Sequence, residues 1–113
     1  MLEMITAIIK PHQLESVKEA LLSAGVEGMT VTEVRGFGRQ RGKTENFRGS
    51  EYKIDFVPKI RLEVVVSAES TEHLVTVIGN AARTGKIGDG KVWTTPVGHL
   101  LRVRTGEMGI EAI

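Results

Sequence analysis

The sequence predicts an α+β fold of the ferredoxin-like class, in which two β-α-β units share one antiparallel sheet. Two observations lead to this prediction. The order of strand, helix and strand occurs twice along the chain, and one long polar segment separates the two copies. Because 113 residues are enough for one hydrophobic core but not for two, we expect residues 1–113 to form a single domain.

The first unit begins with a β-type run at residues 4–9. Pro11 then precedes a segment whose apolar residues recur at helical spacing, and Gly25 follows as a stop signal. The residues that share the apolar face of this helix are Leu14, Val17, Leu21 and Ala24. Alternation over residues 28–35 predicts the second strand of the unit.

The second unit repeats this order. The apolar face of its first strand consists of Ile60, Leu62, Val64 and Val66. The residues at helical spacing in the next segment are Leu74, Val75, Ile78, Ala81 and Ala82. We expect Ser70 or Thr71 to cap this helix, and strands over residues 91–95 and 100–104 to complete the series.

An arrangement with both helices on one face of the sheet leaves the other face uncovered. The chain contains few aromatic residues, at 4% of the total, and is small. We therefore expect the uncovered face, or a strand edge, to contact another subunit.

The composition limits the possible functions. Fifteen basic and fourteen acidic residues leave a formal net charge of +1, so the chain as a whole has no reason to coat nucleic acid or anionic lipid. The absence of cysteine excludes disulfides, zinc-thiolate sites and thiol nucleophiles. No apolar run approaches membrane-spanning length, and the first residues show no leader pattern. We expect a soluble protein of the cytoplasm.

The segment from residue 36 to residue 58, here called the long loop, is rich in glycine and in basic residues and has little apolar periodicity. Loops of this length in a compact domain are uncommon, and those that exist are usually functional or disordered. Two interpretations remain open from the residues alone. The segment is either a flexible hairpin with solvated charges or a loop that changes shape when a partner binds.

A second glycine-rich segment, residues 83–91, is here called the glycine loop. Its Gly85, Gly90 and Lys91 match most of a P-loop pattern, but the predicted helix precedes the glycines and the strand follows them, the reverse of the P-loop order. Backbone N–H groups at residues 88–90 and the Lys91 ammonium suit a polyphosphate. Asp89, between two glycines, suits a turn as well as a contact with a sugar hydroxyl or a cation.

Two arginines strengthen the prediction of a phosphate site. On a strand over residues 100–104, Arg102 and Arg104 point to the same side, about 7 Å apart. That spacing suits two oxygens of one polyphosphate, and each guanidinium offers bidentate geometry. Together with Lys91, these arginines predict a binding site for an anionic nucleotide.

RNA binding is an alternative interpretation. The residues Arg35-Gly36-Phe37-Gly38 match the first half of the RNP1 signature, and RNA-recognition modules share this β-α-β-β-α-β order. However, Arg39-Gln40 stands where the signature requires its next aromatic, and residues 4–9 provide no aromatic side chain for base stacking.

Catalytic chemistry has little support in the sequence. The histidines His12, His73 and His99 are scattered, without metal-ligand spacing or a nearby nucleophile, so we expect no enzymatic activity. Tyr52, the only tyrosine, lies in the long loop beside Ser50. Its hydroxyl is either open to modification or part of a loop aromatic with no chemical role.

Several longer motifs resemble the PII nitrogen-regulatory signalling proteins. The matching segments, which follow in order over essentially the whole chain, are Ala7–Pro11, Gly28–Val34, Gly36–Gln40, Arg48–Tyr52, Ala82–Lys91 and Arg102–Glu107. The resemblance implies a homotrimer of double β-α-β subunits that binds ATP or ADP competitively in clefts between neighbours. The nucleotide residues it implies are Thr30, Gly36, Phe37, Gly38, Arg39, Gln40, Glu63, Val65, Gly88, Asp89, Gly90, Lys91, Arg102 and Arg104.

The resemblance also implies an effector, 2-oxoglutarate, that binds together with Mg-ATP. Gln40 matches the family residue that helps to hold magnesium, and Lys59 matches the residue that pairs with the distal carboxylate of 2-oxoglutarate. Arg41, at the same subsite, replaces the usual lysine and so keeps the charge but changes its geometry. The long loop would then act as the regulatory loop, the glycine loop as the phosphate-binding loop, and residues 102–113 as a C-terminal segment.

By the same resemblance, the long loop docks onto target proteins. The expected targets are ammonium channels, nitrogen-assimilation enzymes and transcriptional regulators, so a membrane would be met only through a channel partner. Tyr52 matches a tyrosine that some members have uridylylated or adenylylated, and Ser50 matches a serine phosphorylated in others. A divergent adenylate sensor without a 2-oxoglutarate response is the alternative within this family.

Overall fold

The computed structural model describes residues 1–38, 43–47, 50–54 and 56–113, and it describes side chains for residues 1–38 and 56–113. The elements in this part of the chain are β1 (Leu2–Ile9), α1 (Leu14–Ser23), β2 (Thr30–Gly36), β3 (Lys43–Phe47), β4 (Ser50–Ile54), β5 (Val57–Ser67), α2 (Thr71–Ala82) and β6 (Lys91–Val97). Among these residues, neither helix has the length and apolar character needed to cross a membrane.

The main sheet has the strand order β2-β5-β1-β6, and every neighbouring pair is antiparallel. Strand β5 lies between β1 and β2, so the two β-α-β units interleave instead of lying side by side. In the register of the central pair, Leu2 faces Ser67 and Ile9 faces Ile60. This arrangement confirms the predicted α+β, ferredoxin-like fold.

The hydrophobic core lies between one face of the sheet and the two helices. Strand alternation and helical spacing bring together the buried side chains of Ile5, Ala7, Ile9, Val17, Leu21, Ile60, Leu62, Val64, Val66, Leu74, Ile78 and Ala82. The apolar faces predicted for α2 and β5 are therefore confirmed, and so is that of α1 except for Ala24, which follows the helix and is exposed.

The start of α2 differs from the prediction. A 3-10 turn at Ala68–Ser70 leads into the helix, and within the described residues the Ser70 side chain makes no capping hydrogen bond. The Thr71 hydroxyl donates instead to Glu3 Oε1 at 2.8 Å, which ties the helix start to β1. The expectation that Ser70 or Thr71 caps the helix was wrong because Ser70 already has helical dihedral angles, unlike the extended backbone of an N-cap.

The final predicted strand, over residues 100–104, is also wrong. The chain forms a tight hairpin there, with one isolated bridge between Leu101 and Met108. The Gly106 N–H donates to Arg102 O at 2.8 Å, and the Arg102 N–H donates to Glu107 O at 2.9 Å. Gly106 has a φ of 74°, which favours glycine and reverses the chain where a strand would continue.

The backbone inside the long loop contains a second, two-stranded sheet. Strands β3 and β4 pair antiparallel, with Lys43 opposite Ile54 and Phe47 opposite Ser50. Strand β2 extends to Gly36 and β5 begins at Val57, so both ends of the loop belong to the main sheet. The hairpin of the first interpretation is therefore present in the backbone, and the change of shape on partner binding stays a prediction.

We predict that two neighbouring leucines of α1 differ sharply in their contribution to stability. Leu21 is fully buried, whereas Leu22 is 51% exposed. Replacing Leu21 with Ala should lower the free energy of unfolding by about 3–5 kcal/mol, because it leaves a cavity in the core. Replacing Leu22 with Ala should cost less than about 1 kcal/mol. Urea unfolding at one protein concentration measures both, and equal losses would contradict this assignment of the helix faces.

Candidate functional site

A cleft of ≈ 600 Å³ lies where the glycine loop meets the ends of four strands, β1, β2, β5 and β6; we call it the loop cleft. It brings together the base of the long loop, the start of β5 and the start of β6. Its lining residues are Ile8, Gly36, Phe37, Gly38, Val57, Lys59, Ile87, Gly88, Asp89, Gly90, Lys91 and Trp93. Eight of the residues predicted to bind nucleotide or effector are among them: Gly36, Phe37, Gly38, Lys59, Gly88, Asp89, Gly90 and Lys91.

The glycine loop reaches the sheet through Gly90. Its φ of 99° is in the left-handed region, and a Cβ at this position would lie 1.7 Å from the carbonyl oxygen of Ile8. No side chain fits there, so the loop backbone can approach β1 only because residue 90 is glycine. This approach places Lys91, the next residue, opposite Ile8 in the sheet and at the edge of the loop cleft.

The Asp89 carboxylate is held inside the glycine loop. Its Oδ2 accepts hydrogen bonds from the backbone N–H groups of Thr84 at 2.8 Å and Gly85 at 2.9 Å, and its Oδ1 accepts from the Thr84 hydroxyl at 2.5 Å. Lys10 Nζ lies 3.3 Å from Oδ1. The Thr84 hydroxyl chiefly, with the two N–H groups and Lys10, holds the pKa of Asp89 well below its ordinary range. Of the roles open for Asp89, the structure shows the turn role.

Lys59 links β5 to the glycine loop. Its Nζ donates to the backbone oxygen of Gly88 at 2.5 Å, and the residue is only 8% exposed. Burial lowers the pKa of Lys59, the charge of Lys10 lowers it further, and Asp89 acts in the opposite direction. Lys59 and Lys91 therefore place two basic groups on the wall of one cleft.

The base of the long loop forms another part of the wall, through Gly36, Phe37, Gly38 and Val57. Phe37 and Phe56 lie on its two sides, with ring centroids 6.0 Å apart and ring planes at 61°, an edge-to-face contact. Both rings are more than half exposed. Any ligand in the loop cleft therefore lies next to the residues from which the long loop departs.

Three other predicted nucleotide residues lie in a second cleft, of ≈ 620 Å³, which we call the strand cleft. They are Thr30, Glu63 and Val65, on β2 and β5. Its lining also includes the residues just after α1 and the C-terminal Ile113. Glu63 pairs with Arg61 at 3.4 Å on the same strand. One chain thus divides the predicted nucleotide residues between two clefts.

The structure places the two arginines differently from the strand prediction. Arg102 lies at the start of the C-terminal hairpin, where Nη1 donates to Glu107 Oε1 at 3.1 Å and Nη2 donates to the Ile113 carbonyl at 2.5 Å. Arg104 lies exposed in the same turn. Neither Arg102 nor Arg104 is among the described residues that line the two clefts. The alternation of side chains that aligned them does not apply in a turn.

Some predicted residues lie outside the part of the chain whose side chains the structure describes. They are Arg39, Gln40 and Arg41 of the nucleotide and effector sites and Ser50 and Tyr52 of the modification sites. Within the described residues, no group of three or more histidine, cysteine, aspartate or glutamate side chains is placed to hold a metal ion.

Sequence reasoning missed three residues of this region. Thr84 and Lys10 surround Asp89, and Lys10 Nζ also donates to Thr84 Oγ1 at 3.2 Å. The five-residue spacing of Thr84 and Asp89 across a glycine-rich turn was a usable signal, whereas Lys10 lies 74 residues away in sequence. Trp93, the only tryptophan, lines the loop cleft and is 40% exposed.

A family model described as "Nitrogen regulatory protein P-II" matches residues 2–107. The chain belongs to this family. It is 54% identical to the nitrogen regulatory protein P-II of Rhizobium meliloti over 109 residues, covering 96% of this chain and 97% of that protein. It is 52% identical, with the same coverage, to the P-II protein of Synechocystis. The resemblance stated from the motifs is confirmed.

The fold is shared as well. A crystal structure of Arabidopsis thaliana PII bound to citrate superposes with a TM-score of 0.82 at 38% identity, covering 99% of this chain and 92% of that one. The RNA-recognition alternative requires its stacking motif on a central strand, whereas the residues Arg35-Gly36-Phe37-Gly38 lie at the end of edge strand β2. The shared fold agrees with the membership of this chain in the nitrogen regulatory P-II family.

We predict that two glycines of the glycine loop tolerate alanine differently. Gly85 and Gly90 both have positive φ, but a Cβ at Gly85 meets nothing within 4 Å. Gly85→Ala should cost about 1–2 kcal/mol of folding stability from backbone strain alone. Gly90→Ala adds the clash with Ile8 and should cost more than about 3 kcal/mol. Urea unfolding compares them; similar losses would show that the loop does not pack against β1 as described.

Proposed function

We propose that this P-II protein is a sensor that binds ATP or ADP competitively and, with Mg-ATP, also binds 2-oxoglutarate. Binding changes the conformation of the long loop and so controls target proteins, without catalysing a reaction. The loop cleft is the observation that supports this proposal. Its volume is in the range of small-molecule sites, and it joins a glycine backbone to two lysines.

The phosphates of the nucleotide are proposed to lie against the glycine loop. Backbone N–H groups that point from turns of positive φ form concave anion sites, and Gly88 and Gly90 have φ values of 93° and 99°. Lys91 supplies a mobile positive charge at the same edge. The exposed rings of Phe37 and Trp93 and the side chain of Ile87 offer apolar surface beside the loop.

The nucleotide site is proposed to be complete only in a homotrimer. Thr30, Glu63 and Val65 line the strand cleft, away from the glycine loop, so a neighbouring subunit would join the strand cleft of one chain to the loop cleft of another. Exposed apolar side chains support such contacts. In the C-terminal hairpin Leu101 is 52% exposed and Val103 is 90% exposed, more than a monomer needs to leave open. Arg102 and Arg104 would reach the phosphates from this hairpin across the same contact.

The effector is proposed to bind at the base of the long loop. Lys59 offers an ammonium group for the distal carboxylate of 2-oxoglutarate, with Arg41 nearby, while Gln40 would help to hold magnesium between ATP and the effector. Magnesium, when bound, would neutralise phosphate charge. The related Arabidopsis PII structure holds citrate, another small carboxylic acid, which is consistent with this class of ligand. A ligand that bridges Lys59 and the loop base favours one loop conformation.

The output is proposed to be docking of the long loop onto a target in the cytoplasm. The candidate targets are an ammonium channel, a nitrogen-assimilation enzyme or a transcriptional regulator, and a membrane would be approached only through a channel. Modification of Tyr52 by a nucleotidyl group, or of Ser50 by phosphate, would change the charge of the docking surface.

The first test is calorimetry on the purified protein. We expect saturable heat with ATP, displacement of ATP by ADP, and heat with 2-oxoglutarate only when Mg and ATP are present. The absence of any signal with ATP at millimolar concentration would rule out the proposed function. Binding of ATP without 2-oxoglutarate would support the divergent adenylate sensor, and salt-sensitive binding of single-stranded RNA that depends on Phe37 would support the RNA alternative.

Two lysine variants should separate the nucleotide from the effector. Lys91→Met removes a charge placed for phosphate and should weaken ATP binding by about 10–100-fold. Lys59→Met should abolish 2-oxoglutarate binding while ATP binding falls far less. Lys18→Met, which removes a partly exposed lysine paired with Glu15 on α1, is the matched control and should leave both unchanged. If Lys59→Met lost ATP binding as well as 2-oxoglutarate binding, the separation of the two subsites would be contradicted.

A further inference from the structure

The Asp89 carboxylate is the most heavily hydrogen-bonded side chain that lines the loop cleft. A carboxylate offers about four lone-pair sites. Four donors already surround this one: the backbone N–H groups of Thr84 and Gly85, the Thr84 hydroxyl and the Lys10 ammonium. Its capacity to accept hydrogen bonds is therefore used within the protein. Little remains for a sugar hydroxyl, and its negative charge opposes a phosphate at close range.

We propose that Asp89 is a positioning residue, which acts with Thr84 and Lys10 to hold the glycine loop in the shape that receives the phosphates. This inference rests on the proposed nucleotide binding. It assigns Asp89 a role different from the nucleotide contact that the family resemblance implies, because the carboxylate closes the loop from inside.

The hydrogen bonds join the two ends of the loop. Thr84 and Asp89 lie five residues apart, and the glycines with left-handed backbone, Gly85 and Gly88, lie between them. The Thr84 hydroxyl oxygen also accepts a hydrogen bond from the Lys86 N–H at 3.2 Å. One hydroxyl therefore bonds both to Lys86, near the start of the turn, and to Asp89, near its end. Without the carboxylate, the N–H groups of Thr84 and Gly85 lose their acceptor, in a segment whose glycines have wide backbone freedom.

Lys10 fixes the closed loop to the sheet. It follows directly after β1, its side chain is only 12% exposed, and its ammonium contacts both Asp89 and Thr84. Two residues of the same region bond to the end of α2, since Gln13 Nε2 and Ser16 Oγ both donate to the Ala81 carbonyl. The loop is thus held to β1 at two places, by Lys10 through its side chain and by Ile8 through the Gly90 contact.

An electrostatic role and a positioning role of Asp89 predict opposite changes in ATP affinity when Asp89 loses its charge. Asp89→Asn makes the cleft more positive, so a purely electrostatic role predicts tighter binding of ATP. A positioning role predicts weaker binding. In the variant one amide NH₂ must face either the two backbone N–H groups or the Lys10 ammonium, all of them donors. The closed loop then becomes a minor state, and the apparent affinity for ATP falls in proportion to the fraction of molecules in which the loop is closed.

The test measures ATP affinity by calorimetry in the full-length protein. Asp89→Asn should weaken ATP binding about tenfold. Thr84→Val, which keeps the shape but not the hydroxyl, should weaken it to a similar extent, and Thr84→Ser should restore it. The double variant Thr84→Val with Asp89→Asn should be little worse than either single variant, because both remove the same closure. Glu15→Gln, an exposed carboxylate on α1, is the control and should bind as the wild type does.

Trp93 supplies a second readout that a general loss of stability would not change. As the only tryptophan, it lines the cleft beside the loop, so its emission in the ligand-free protein should shift in Asp89→Asn and Thr84→Val. Saturating ATP should return the emission to that of the ATP-bound wild type. Unchanged emission without ATP would mean that the loop has kept its shape, and would overturn the proposal.

The outcomes separate this proposal from the proposed function. If the wild type does not bind ATP, both fail together. If the wild type binds ATP while Asp89→Asn binds as tightly or more tightly, only the positioning role fails. If Asp89→Asn and Thr84→Val weaken binding additively, Asp89 contacts the nucleotide itself, and the inference is again wrong. Should Asp89→Asn fail to fold, the pair Thr84→Val and Thr84→Ser decides by the same criteria.

Discussion

The close approach of Gly90 to the Ile8 carbonyl is the constraint on which fold and site both depend. A Cβ there would lie 1.7 Å from that oxygen, so only glycine permits the contact. The next residue, Lys91, begins β6 opposite Ile8, which places this edge strand on β1 in one register. The same contact brings the glycine loop over the end of the sheet. The contact between Gly90 and the Ile8 carbonyl thus sets the strand order at this edge of the sheet and forms one wall of the loop cleft.

Periodicity was sufficient to predict most of the fold, because burial on one face imposes it. The predicted apolar positions within α1, α2 and β5 are buried in the core or packed against it. The error over residues 100–104 shows the limit of such patterns. Leu101 and Val103 alternate with arginines as in a strand, yet Val103 is 90% exposed. Alternation shows that one side is apolar but not whether this chain covers it, and Gly106 reverses the chain instead.

Some features of the candidate site could be predicted from neighbouring residues in the sequence, whereas others depend on contacts between residues far apart in the chain. Glycine content and Lys91 predicted an anion site because the backbone itself supplies the chemistry. The role of Asp89 stayed open in the sequence, since a turn residue and a ligand look alike there. The structure shows the turn contacts of Asp89, and its ion pair with Lys10 joins residues 79 positions apart. Lys59 entered only through the family motif, because its contact with Gly88 depends on how β5 lies beside the loop.

The two walls of the loop cleft are held with unequal strength, and this inequality explains how binding could act on one of them. The glycine loop is fixed by four donors to Asp89 and by the contact of Gly90 with β1. At the base of the long loop, Gly36 pairs with Val57 at the end of the β2-β5 ladder. Beyond that pair, the described contact is the edge-to-face pair of Phe37 and Phe56, worth about 0.5–1.5 kcal/mol, with both rings largely exposed. A ligand that touches both walls redistributes the conformations of the less constrained one, because a few kcal/mol of differential affinity exceed the energy of that pair. If a ligand binds as proposed, we therefore expect it to rearrange the base of the long loop and not the glycine loop.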